Sequence, residues 1–346
     1  MRKDQFESPD YYMVEKLFSE EQIIVRDATR QWVKEYVSPI IEDCNLKGVF
    51  PKELIKGIAE IGGFGAIIPA EYGGSELDLI SYGLMMQELE RGDSSIRVMC
   101  SIQTSLVMNN IYEHGNDFHK EEFLLKLSKG ELIGSFGLSE PGHGSDPASM
   151  QTRHTIDGDH YIINGSKMWI GNAPFCDIAL VWSKSANDSY ACFIIQRNDP
   201  GFSTSKIDKK WSFRASETGE LIFDNCRVHK KYLLFESDSI NAALKSLNIA
   251  RYAVACGSIG IAMECYDVAL KYADERIQFG KKISSNQLIQ KKLVDMITEI
   301  TKAQLLNWKL GMMMNDGDAT FEQISMAKRN NVCLLYTSPS PRDRSI

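Results

Sequence analysis

No C-x-x-C pair occurs in the sequence, and its eight cysteines stand scattered with no histidine at zinc spacing. That leaves neither a zinc module nor a disulfide framework, and the thiols read as free, mostly buried groups of a reducing compartment. The six histidines form no i, i+4 metal pair and no G-x-S-x-G elbow is present, so metalloenzyme and hydrolase readings have no support. Lysine and arginine form no block longer than two or three residues, and the net charge is −7, which argues against the basic surface that nucleic acid requires. The opening "MRKDQFESPDYY" lacks the apolar core of a signal peptide and the arginine-rich character of a presequence. No apolar run approaches the roughly 20 residues of a membrane span. These absences together predict a cytoplasmic protein without metal, nucleic acid or membrane span.

What is present is ordinary for a globular chain: 346 residues, 43% hydrophobic and 25% charged, enough for about two or three domains. The first third reads as helices. Ser19 with Gln22 three residues on is a capping box opening "SEEQIIVRDATRQWVKEYV", and "PKELIKGIAEIGG" places Pro51 in a first helical turn. Leu77 to Ile111 reads as two helices or one kinked helix, interrupted at "RGD". From Ile133 to Tyr232 the period changes to short β-branched and aromatic runs between turn clusters, which predicts a small barrel or sandwich. Two long helical patterns follow and predict antiparallel neighbours in a bundle. After them Phe321, Ile324, Met326 and Ala327 are spaced for one apolar face.

Four segments exceed what composition explains. "FGLSEPGHGSDPASM", residues 136–150, can turn as a plain loop or present backbone N–H groups and Ser145 to a phosphate. It is not G-x-G-x-x-G and no βαβ unit surrounds it. "INGSKMWIGNA" leads either into a core Trp169 or into an indole laid against a flat aromatic ligand. On an otherwise apolar helix, Arg97 and Ser101 lie four apart and Glu90 stands two turns upstream. That arrangement is either an intra-helical ion pair at the surface or a partly buried guanidinium reserved for a carboxylate. The last segment, "ERIQFG" with "NQLIQKK", reads as a helix end and a turn.

In this order, these segments with "RASETGELIFDNCRV" and "ARYAVACGSIGIAMECYDVALKYADERIQFG" resemble the acyl-CoA dehydrogenase family, most of all its glutaryl-CoA dehydrogenase branch, from about Tyr12 to Val332. The resemblance implies an α+β fold: an N-terminal helical domain (1–132), a middle β domain (133–232) and an incomplete C-terminal helical bundle (233–332). It implies FAD in a homotetramer, with electron-transferring flavoprotein as acceptor. Carried over by motif, Phe136, Leu138, Ser139, Gly144 and Ser145 would line the flavin and its pyrophosphate, with Ser145 also near the acyl-CoA. Trp169, Ile170 and Gly171 would lie against the flavin ring, and Arg276, Phe279 and Gln287 would reach the FAD of a neighbouring subunit. Asn248 and Arg251 match residues of the thioester channel, and Glu90, Arg97 and Ser101 match those that hold a distal carboxylate.

The implied reaction is α,β-dehydrogenation of an acyl-CoA thioester, with oxidative decarboxylation of glutaryl-CoA to crotonyl-CoA and CO2 ahead of a short-chain dehydrogenase or oxidase, or a non-catalytic flavin- or acyl-CoA-binding protein. Gly171 departs from the family, where a threonine often follows "WI", and "WIGN" resembles short-chain oxidases. The family's catalytic glutamate stands in a "Y-E-G-T" segment that this sequence does not contain, so no catalytic residue is assigned and the chain is expected to be inactive. "CLLYTSPSPRDRSI", residues 333–346, matches nothing in the family and resembles translated adapter or vector sequence, with the rest of the bundle missing.

Overall fold

The computed structural model describes residues 9–337. Among the described residues seven α-helices come first, α1 (Glu20–Trp32), α2 (Ile41–Lys47), α3 (Leu54–Glu60), α4 (Leu79–Gly92), α5 (Ser94–Ser101), α6 (Asn109–His114) and α7 (Asp117–Ser128), with a π-helical segment Ile102–Met108 joining α5 to α6. Eight strands follow: β1 (Gly134–Gly137), β2 (Arg153–Asp157), β3 (His160–Gly171), β4 (Ile178–Lys184), β5 (Tyr190–Gln196), β6 (Phe202–Lys206), β7 (Thr218–His229) and β8 (Leu233–Ser237). Then come α8 (Asn241–Ser246), α9 (Asn248–Glu275), a hairpin of β9 (Ile277–Gln278) and β10 (Lys281–Lys282), α10 (Gln287–Asn315) and α11 (Phe321–Thr337). This is the α+β order of helices, sheet and helices that the sequence predicts.

By packing, the chain forms two compact units, each drawn from separated segments. Among the described residues, one takes 9–39, Asp78–Arg97 and 251–337; the other takes Ile40–Leu77 and Val98–Ala250. In the second unit the strands run in the order β6-β7-β3-β2-β4-β5-β8, with β1 parallel to β4. Strands β4 and β5 alternate strictly between two cores. Ile178, Leu180, Trp182, Cys192 and Ile194 face one that includes Val107, Phe123 and Leu127 from the helices. Ala179, Val181, Phe193 and Ile195 face another that β3 and β7 complete. Burial on both faces explains why these strands read as continuous apolar runs.

In the first unit α1 opens as predicted: Ser19 Oγ accepts the Gln22 N–H, and the Gln22 side chain accepts the Ser19 N–H. Pro51 sits in the turn before α3 instead of inside it. The predicted kink falls at Asp93, whose extended backbone (φ −169°, ψ 142°) separates α4 from α5. Of the four residues predicted for the apolar face of α11, Ile324 and Ala327 are buried and Phe321 and Met326 are exposed, so that face is narrower than its spacing suggested. Asn331 is fully buried, where its Nδ2 donates to Asn307 Oδ1 on α10 (2.9 Å) and to Ala255 O on α9 (3.1 Å). Residues 333–337 of the expected foreign segment continue α11, and Leu334 is buried. The remaining residues 338–346, like 1–8, lie outside the described residues.

One expectation changes. Asn241–Glu275 is long and apolar enough to cross a membrane by length and composition, with a mean hydropathy of 1.4 in its most apolar window, 61% of which is buried inside the protein. Small apolar residues between Arg251 and Glu264 raise the mean without forming a run of large ones.

The buried end of α4 sets the strongest demand on the first unit. Glu88 is fully buried, and Arg30 of α1 meets it with Nε (3.0 Å) and Nη2 (3.1 Å). Losing one partner of a buried pair strands the other charge. Arg30→Met should therefore cost about 3 kcal/mol, read as a lower urea midpoint at constant m-value.

Candidate functional site

The loop after β1 is built on a buried ion pair. Lys167 on β3 is fully buried, and its Nζ donates to Glu140 Oε1 (2.8 Å) and Leu138 O (3.1 Å). The Glu140 carboxylate also accepts the N–H groups of Gln151 (2.6 Å) and Thr152 (3.0 Å) and the Thr152 hydroxyl (2.6 Å). Burial alone would raise this carboxyl; the Lys167 ammonium and the hydrogen-bond donors outweigh it and hold it at about 2. Burial draws Lys167 down to about 8, so both groups remain ionised at neutral pH. The loop's two roots are thus tied together, and Met168 N–H donates to Ser139 O (2.9 Å) alongside.

Beyond this clamp Gly144 and Ser145 are exposed. Glu140 and His143 exchange backbone hydrogen bonds across the turn. Among the described residues nothing accepts from the main-chain N–H of Gly142, Gly144 or Ser145. A Cβ on Gly142 or Gly144 would meet nothing within 4 Å, so packing does not demand these glycines. Phe136 and Leu138, predicted to line a ligand, turn their side chains into the core and leave main chain on offer. Ser139 is half-buried.

Trp169 is not a core residue. Pairing between β3 and β7 shifts between Met168 and Ile170, and in that bulge Trp169 takes φ 65° with 61% of its surface exposed. Ile170 returns to the core, and Gly171 lies against Ile102, whose Cδ1 would be 2.4 Å from a Cβ there. A threonine at 171 would need Ile102 to move.

In the other unit the predicted helix end is a β-hairpin. Phe279 (φ 53°) and Gly280 (φ 73°) form its tip, with Phe279 fully exposed and Arg276 and Gln287 exposed beside it in sequence. Asn248 and Arg251 occupy the first turn of α9, both half-buried.

The Glu90–Arg97 pair is neither intra-helical nor superficial. Asp93 ends α4 and its Oδ1 accepts the Ser95 N–H (2.7 Å), which starts α5 in a new direction and returns Arg97 onto Glu90. Nε lies 2.5 Å from Glu90 Oε2 and Nη2 3.1 Å from Oε1, with both side chains about nine-tenths or more buried. Among the described residues nothing accepts from Arg97 Nη1. Ser101 is buried four residues on, its Oγ 3.4 Å from Ser105 Oγ.

Three family profiles match this chain in succession: "Acyl-CoA dehydrogenase, N-terminal domain" over residues 19–131, the middle domain over 135–226 and the C-terminal domain over 240–333. The chain belongs to the acyl-CoA dehydrogenase family. An acyl-CoA dehydrogenase of Bacillus subtilis is 34% identical over 316 residues, spanning 90% of this chain and 83% of the relative. Among solved structures, a glutaryl-CoA dehydrogenase of Mycobacterium smegmatis in complex with FADH2 superposes with TM-score 0.92 at 36% identity, covering 94% of this chain and 84% of that one. Butyryl-CoA dehydrogenase of Megasphaera elsdenii superposes at 0.89 with 31% identity, covering 93% and 86%.

Motif reading brought out the loop, the tryptophan and the arginine but passed over the Lys167–Glu140 clamp. Its signal was a lysine at an inward position of an alternating strand, which requires an acid. Because the Glu140 pKa lies below its ordinary value, its contribution to stability is fully present above about 4.5 and is lost as pH falls toward about 2. Glu140→Gln should be less stable than the parent at pH 6 and lose less on acidification through that window, as read from denaturant midpoints.

Proposed function

We propose that this acyl-CoA dehydrogenase binds FAD and a dicarboxylyl-CoA, glutaryl-CoA first among them. The residues fit the cofactor: the exposed Trp169 indole suits a flat ring, and the unanswered N–H groups of Gly142, Gly144 and Ser145 suit a pyrophosphate. Arg276, Phe279 and Gln287 are exposed, as residues serving a neighbouring subunit's FAD must be. Bound FAD would supply the acceptor for the β-hydride. The chain's own part is to hold the thioester near Asn248 and Arg251, keep the loop rigid through Lys167 and Glu140, and exclude water. Electron-transferring flavoprotein as acceptor and a cytoplasmic homotetramer complete the proposal; conversion of glutaryl-CoA to crotonyl-CoA and CO2 is assigned to a gene product that also carries the family's catalytic glutamate. The reading assigns no base among residues 1–346, so this chain should leave the α-proton of glutaryl-CoA unexchanged in D2O; measurable exchange by NMR contradicts that part.

The observation that carries the substrate class is the Arg97 guanidinium. Glu90 occupies its Nε and Nη2 edge and leaves Nη1 without a protein acceptor among the described residues, on a side chain that is otherwise buried, an arrangement with no purpose for a methyl-ended acyl chain. Glu90 already answers the arginine's charge, so the case rests on this open donor edge and not on an unpaired cation. A charge-assisted hydrogen bond contributes about 1.5–3 kcal/mol, or roughly tenfold and more in affinity. Arg97→Met, made with Glu90→Gln so that no carboxylate is stranded, should weaken glutaryl-CoA by at least that factor and spare butyryl-CoA, measured by titration calorimetry. Equal affinities in the parent chain exclude the reading.

One observation favours an oxidase as a second reading: Gly171 carries no hydroxyl, and Ile102 fills the space where a side chain would stand. Rapid reoxidation of the reduced FAD-loaded protein in air supports it, and slow reoxidation supports the dehydrogenase.

A further inference from the structure

Gly257 lies on the buried face of α9, in the same unit as Glu90 and Arg97. A Cβ there would stand 1.8 Å from Glu90 Oε2, 2.8 Å from Glu90 Cδ and 3.1 Å from Arg97 Nε. One turn on, a Cβ at Gly260 would stand 2.0 Å from Gln87 O. The two glycines therefore differ in what they admit. Gly260 admits the main chain of α4, whereas Gly257 admits the head groups of the ion pair. Neither has a left-handed backbone, so what matters at both is the missing side chain. Since Gly→Ala inside a helix normally stabilises, a loss at either position reports the clash.

We propose that Gly257 is a specificity-determining position for the distal end of the acyl chain. By leaving room for the Glu90 carboxylate it keeps Glu90 on the Nε–Nη2 edge of Arg97, which fixes the guanidinium with Nη1 as the edge offered to an anion. Any side chain at 257 drives Glu90 off that edge and turns or masks the free donor. Gly257 acts through Glu90 and is a positioning residue. The inference rests on the dicarboxylyl-CoA reading and adds the element that orients the arginine.

The test uses the full FAD-loaded chain, titrated with glutaryl-CoA and with butyryl-CoA, together with thermal unfolding of the ligand-free chain. Gly257→Ala should weaken glutaryl-CoA by about tenfold or more and change butyryl-CoA by less than about twofold, and should lower the unfolding midpoint. The double variant Glu90→Ala/Gly257→Ala should match Glu90→Ala alone in both readouts, because the clashing carboxylate is gone. Gly260→Ala should lower the midpoint without changing the ratio of the two affinities. Equal weakening of both ligands by Gly257→Ala, an unchanged ratio, or additive losses in the double variant overturns the proposal. Should Gly257→Ala fail to fold, the double variant decides: folding as well as Glu90→Ala supports the proposal, and failure refutes it. A parent chain that binds both ligands equally removes the dicarboxylyl reading and this proposal together, whereas loss of selectivity confined to the variants' controls removes this proposal alone.

Discussion

A charge taken out of water must meet an opposite charge at close range, and the last turn of α4 poses that demand three times. Glu88, Glu90 and Arg91 are all buried there. Arg30 on α1 meets the first, Arg97 on α5 the second, and Asp267 on α9 the third, with Arg91 Nη2 donating to Asp267 Oδ2 at 2.7 Å. Each pairing fixes a different helix against α4. An apolar contact tolerates sliding by a fraction of a turn, but a buried ion pair does not, because desolvation costs several kcal/mol once the partner is displaced. The pairing that places Arg97 is therefore also one of the contacts that hold the unit together.

The same logic governs the sheet unit on a smaller scale. Lys167 and Glu140 tie a strand to the root of a loop, and the loop beyond is left exposed with unused N–H groups. Order at the base and openness at the tip are what a ligand-binding loop requires, since a floppy loop would pay the entropy of ordering when the ligand arrives. The bulge that presents Trp169 belongs with this design: a regular strand would have sent the indole into one of the two cores.

Much of this was legible in the sequence where the signal was local. The capping box at Ser19 and the break near Asp93 depend on a few adjacent residues, and the structure has both. The alternation in β4 and β5 was readable as apolar runs for the same reason. What sequence spacing could not convey was partnership across long separations. Arg97 and Glu90 fit a single helix by spacing, and only the Asp93 break reveals them as neighbours on two helices. Phe136 and Leu138 belong to a segment correctly singled out, yet their side chains serve the core, a distinction that depends on strand register. The Arg91–Asp267 pair spans 176 residues and leaves no local trace.

That span bears on how the chain is made. The unit holding α4 draws on three segments of the chain, and its last begins at Arg251. During synthesis α4 emerges with its charges long before α9 exists, so Arg91 stays hydrated until Asp267 has left the ribosome. The sheet unit, whose segments end at Ala250, has all its residues by then. Contacts of such high sequence separation slow folding and prolong exposure of apolar surface. The connectivity thus sets an order of maturation: the sheet unit can close while the chain is still growing, and the helical unit with its Glu90–Arg97 pair can finish only after α9 has been delivered.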